Sequence, residues 1–197
     1  MFFINQIASL LPTSYSLYDQ ASAMVVIVTS LAISGAMILL VVYWLVTKSF
    51  ETVKTIFAML AIMLLLALCV GLAINHQVRL AAWILIVLML LLNVANMLGY
   101  GIATSASAAY LIPILLAMFC IGVTAGYVIA FLGCVIVFAI AFLQSKEKLK
   151  TFLPYEVSHL TFDAPVLSLV YLLVTFILGV GLLLSKNFSF NRGEFLI

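Results

Sequence analysis

The sequence predicts an all-α fold, a polytopic transmembrane helix bundle of about six spans with short interfacial helices. Three observations carry this expectation. Of 197 residues, 68% are hydrophobic and only 7% charged, and mean hydropathy is +1.40. A soluble domain carries about 25% charged residues, so this chain lacks the polar surface to cover a water-facing globule. The charged residues are also segregated. Every one falls in a connection, in a tail or at the edge of an apolar run long enough to cross a bilayer.

A helix crossing the hydrocarbon layer needs about 20 apolar residues. Residues 1–20 form an amino-terminal segment that predicts an interfacial helix. Placed at 100° per residue, Phe3, Ile4, Ile7, Leu10 and Leu11 gather on one arc with Asn5, Gln6 and Ser9 opposite, and Pro12 ends the pattern. The first span covers 24–46, closed by Tyr43 and Trp44, which suit an interfacial belt. The second covers 53–74 and stops at Asn75, His76 and Gln77. The third covers 80–98, with Trp83 near its entry, and Gly99 and Gly101 break it.

Ala108 to Leu143 is one uncharged run. As a single helix it would be roughly 54 Å long at about 1.5 Å per residue, too long for one crossing. Gly122-Val-Thr-Ala-Gly126 near its middle predicts a tight turn. It leaves spans at 108–121 and 127–143, with a re-entrant hairpin as the alternative. A connection at 145–164 mixes three lysines with Leu149, Phe152, Leu153, Val157, Leu160 and Phe162, as a segment lying on the membrane surface would. The last span is 165–185. The whole of 1–197 reads as a single membrane domain.

Orientation follows from the cations. With the amino terminus outside, five Lys/Arg face the cytoplasm and three face out. The positive-inside rule therefore favours both termini outside a multi-pass cell-membrane protein.

The chemistry that is missing narrows function. Pumps, proton-coupled carriers and voltage sensors place ionisable groups at membrane depth, and no span interior here holds one. There is no H-E-x-x-H, no G-x-S-x-G and no phosphate-binding loop. Cys69, Cys120 and Cys134 sit inside apolar runs without metal-site spacing, as buried hydrophobes do. A net charge of +2 is far from a nucleic-acid footprint. The expectation is therefore no enzyme, no metal site, no cofactor and no nucleic-acid partner. His76 is the single candidate ligand for a pigment or metal, against the simpler reading of a hydrated interfacial imidazole.

Two groups of polar or small residues stand out. Asn93, Asn96 and Tyr100 lie at i, i+3 and i+7 on one helix face. They predict interhelical hydrogen bonding, or else a polar wall for a small ligand. Ser30 with Ser34, Ala32 with Ala36, Gly122 with Gly126, and Gly179 near Gly181 have helix-packing spacing, and the Gly122/Gly126 pair more naturally permits the turn.

The stretch Tyr110-Leu-Ile-Pro-Ile-Leu-Leu-Ala-Met-Phe-Cys-Ile-Gly-Val-Thr-Ala-Gly126, followed by Tyr127 to Leu143, resembles the membrane-spanning input region of bacterial sensor histidine kinases. The resemblance covers about residues 79–186 and implies a sensory-type module. The turn-containing pair is also similar to a helix pair in the substrate-binding subunits of vitamin-type transporters, where it lies earlier in the chain. The sequence thus predicts a non-catalytic membrane protein that packs against other membrane subunits and lipid. A substrate-binding subunit of a small-solute transporter is the alternative.

Overall fold

The computed structural model describes residues 11, 16–47, 53–100, 102, 109–146 and the helical residues 168, 171, 172, 175, 178 and 179. The described chain is all-α. Its continuous helices are α1 (Leu17–Thr47), α2 (Val53–Ile74), α3 (Val78–Tyr100), α4 (Leu111–Cys120) and α5 (Val123–Ser145). Four of them, all but α4, are long and apolar enough to cross a membrane. The chain divides into two compact units, Met1–Leu85 and Ile86–Ile197.

In the first unit, α1 starts where Ser16 caps it. The Ser16 hydroxyl accepts the Asp19 backbone N–H at 3.1 Å and donates to Asp19 Oδ2 at 2.6 Å. This reciprocal arrangement satisfies an orphan donor of the first turn. The cap corrects the expected interfacial segment 1–20, because residues 17–20 already belong to α1. Of the remainder, only Leu11 and Ser16 lie within the described residues. At 31 residues, α1 is about 46 Å long and outlasts the hydrocarbon layer.

α1 packs on α2, whose bounds match the expected span. Buried positions are small or β-branched apart from Leu66: Ala23, Val26, Ile27 and Ser30 on α1, and Leu66, Cys69 and Ala73 on α2. Lipid is as apolar as these side chains, so close van der Waals contact rather than escape from water holds such a pair together.

The turn after α2 occupies Asn75–Gln77. His76 takes a left-handed backbone, φ 63°, and Gln77 N–H reaches back to the Leu72 carbonyl at 3.0 Å. Asn75 Nδ2 donates to the Gly71 carbonyl at 2.9 Å. These bonds satisfy the last carbonyls of α2 as a Schellman-type C-cap does.

In the second unit, α4 and α5 form an antiparallel hairpin. Gly122 carries the turn at φ 145°, a backbone that favours glycine. Its N–H bonds the Ala117 carbonyl at 2.9 Å. Gly126, expected to share in the turn, is instead a helical residue of α5, buried against the Met118 side chain. The fifth span therefore starts at Val123 rather than at 127. α4 has 10 residues, about 15 Å, roughly half of a bilayer's ~30 Å core. Tyr110 against Gly133 and Met118 against Gly126 set α4 alongside the first half of α5 only. Of the expected fourth span 108–121, Leu111–Cys120 forms α4 and Ala109 is also helical, while residue 108 lies outside the described residues.

The described residues of the expected last span, 168, 171, 172, 175, 178 and 179, are helical and share one face by their spacing. Of the 145–164 connection, only Ser145 and Lys146 are described. Ser145 closes α5 by donating to the Phe142 carbonyl at 2.9 Å.

Candidate functional site

The buried face of α5 contains Gly126, Ala130, Gly133, Cys134 and Val137. Small residues there let other segments approach the helix backbone. Opposite Gly133 lies the Tyr110 ring, which fills the space a Cβ would need. Tyr110 also stacks on Tyr171, with ring centroids 5.4 Å apart and planes at 24°. Both tyrosines are fully buried. Next to Gly133, the Cys134 thiol donates to the Ser168 carbonyl at 3.6 Å. One helical turn further, the Thr175 hydroxyl donates to the Tyr171 carbonyl.

Three chain segments thus bring Tyr110, Cys134, Ser168, Tyr171 and Thr175 together at the middle of α5. Not all of their polar atoms are satisfied. The Tyr110 and Ser168 hydroxyls are buried and have no hydrogen-bond partner among the described residues. Leaving a buried polar group unsatisfied costs about 1–3 kcal/mol, and membrane hydrocarbon offers no water to relieve it. Ser30 on α1 and Gln144 at the end of α5 also bury unpartnered side-chain atoms.

The residues singled out in the sequence are distributed differently. Asn93 is buried and donates from Nδ2 to the Met89 carbonyl of its own helix at 2.9 Å. Asn96 is exposed, and the Tyr100 side chain lies outside the described residues. The three do not line a common described wall. Gly122 is at the turn and Gly126 in the helix packing, as above. His76 is exposed in the α2–α3 turn, and among the described residues no group of three His, Cys, Asp or Glu converges as a metal site.

No family model matches the chain, and neither the curated proteins nor the solved structures contain a match. The site therefore rests on its own geometry.

The tyrosine cluster has a signal in the sequence. Ser168, Tyr171 and Thr175 stand at i, i+3 and i+7, the same spacing that drew notice to Asn93, Asn96 and Tyr100. Hydroxyl side chains interrupt an apolar run less than amides do, so hydropathy alone passes over them.

Proposed function

We propose that this chain is a non-catalytic cell-membrane module, with both termini outside, that works by packing against partner membrane proteins as an accessory or sensory-type subunit. One observation carries the reading. On α1 the positions Val25, Val28, Ala32, Gly35, Leu39 and Val42 recur at alternating three- and four-residue steps, and all are exposed. This is the period of a helix–helix seam. Its centre is small, and a Cβ on Gly35 would meet nothing within 4 Å. The lipid-suited exposed side of α5, by contrast, carries Phe131, Leu132, Val135, Phe138 and Phe142. A shallow groove of Ala and Gly favours close backbone approach by another helix.

The test is gentle solubilisation of the full chain, with Gly35→Leu alongside. The reading expects a companion membrane chain to co-migrate with the native protein and to be lost from the variant, with thermal stability of the chain itself unchanged. A monodisperse native monomer, or a companion indifferent to Gly35→Leu, counts against it.

A second reading, the membrane substrate-binding subunit of a small-solute transporter, is favoured by the buried cluster around Tyr110. Membrane proteins commonly keep polar side chains at depth along a solute's path. Solute-dependent stabilisation of the purified chain is its test.

A further inference from the structure

We propose that the Tyr110–Cys134–Ser168 cluster is the closed form of a binding site for a small, uncharged, hydrogen-bonding solute. This rests on the second reading and moves the site from Asn93, Asn96 and Tyr100 to a different set of residues.

Position is the first argument. Cys134 is at the middle of α5 (Val123–Ser145), so in a crossing helix the cluster lies at mid-depth, where transported solutes are commonly held. The Tyr110 ring is set at this same level, beside Gly133.

Chemistry is the second. The Tyr110 and Ser168 hydroxyls, buried and without partners, can each donate one hydrogen bond and accept others. They come from different segments but are tied to adjacent residues of one helix. Tyr110 lies on Gly133, and Ser168 accepts from Cys134 through its carbonyl. The polar side chains gathered here are neutral, so an ion would arrive without a countercharge. A neutral solute with both a donor and an acceptor fits. Both oxygens are out of solvent contact in this form, so entry requires the Tyr110–Tyr171 stack to part from α5.

Cys134 serves as a native reporter. In the full chain with Cys69→Ala and Cys120→Ala, reconstituted in vesicles, a neutral hydrophilic methanethiosulfonate should modify Cys134. A chain retaining only Cys120, which is 1% exposed, is the dry control, and a Lys146→Cys chain is the exposed one. The proposal expects Cys134 to react much faster than Cys120. It also expects at least one of a panel of small polyols and amides (glycerol, ethylene glycol, acetamide, urea) to slow that reaction. Tyr110→Phe should abolish the protection and leave the reaction itself.

Cys134 as unreactive as Cys120 overturns the proposal, as does a reactive Cys134 that no solute protects. Solute-dependent thermal stabilisation in the native chain separates the two failures. If it persists while Cys134 stays silent, the transporter reading stands with its site elsewhere; if it too is missing, both fall.

Discussion

The Tyr110 ring lies against the backbone of Gly133, in space that a Cβ at residue 133 would occupy. Tyr110 also stacks on Tyr171, so its ring cannot withdraw alone and must carry the stack with it. Gly133→Ala should therefore destabilise the protein by about 1–3 kcal/mol through overpacking, against the ~0.5–1 kcal/mol that alanine ordinarily gains in a helix. Gly126→Ala meets Met118 Cγ, with Met118 Cβ at 3.2 Å, so Met118 must turn about its first side-chain bond; an unbranched chain does this more readily than a stacked ring, and the variant should cost less. Unfolding of both variants in detergent checks the order. Equal losses would mean that Tyr110 is not fixed where the stack places it.

Two other glycines should behave in the opposite way. A Cβ on Gly35 or Gly71 meets nothing within 4 Å, so Gly35→Ala and Gly71→Ala should be neutral or stabilising by up to about 1 kcal/mol. Gly122 has equally open space, but its φ of 145° is one that L side chains rarely adopt. Gly122→Ala should lose about 1–3 kcal/mol to backbone strain alone. The three melting temperatures separate space from conformation, because open space is common to all three sites.

The contrast among these glycines explains what was legible in the sequence. Apolar runs with polar breaks gave α2 its bounds and put a turn at Gly122, because hydropathy and glycine both act locally. The role of Gly126 depends on Met118 across the hairpin, a partner that spacing cannot reveal. The pairing of Tyr110 with Gly133 is hidden for the same reason, because Tyr110 to Ile121 and Tyr127 to Leu143 are equally apolar and spacing does not show which of their residues meet. Asn93, Asn96 and Tyr100 stand out in the sequence because amides are rare in hydrocarbon. Ser168, Tyr171 and Thr175 had the same spacing but met the cluster only once the last helical segment docked on α5.

Asn93 gives the third prediction. Its amide already donates to the Met89 carbonyl one turn earlier, so no neighbouring helix loses that bond when it is removed. Asn93→Leu should change stability by less than about 1 kcal/mol, within the small range of polar contacts in membrane helices. Asn96, being exposed, should tolerate leucine equally well. A loss of several kcal/mol in the Asn93 variant would show that its carbonyl oxygen bonds another segment.

The last prediction concerns the α2–α3 turn. His76 occupies the left-handed position that ends a helix, φ 63°, where glycine is the usual residue. An L side chain there costs roughly 1–2 kcal/mol, and the Gln77-to-Leu72 bond at 3.0 Å holds the backbone in that conformation regardless. His76→Gly removes the steric cost, offset in part by the greater freedom of glycine in the unfolded chain. The expected net gain is about 0.5–1 kcal/mol, read as a higher melting temperature. His76→Ala keeps the strained backbone and should show no gain. The pair also tests the imidazole as a ligand. If His76 held a pigment or metal, both variants would lose an absorption band or bound metal, and the glycine variant would melt lower rather than higher.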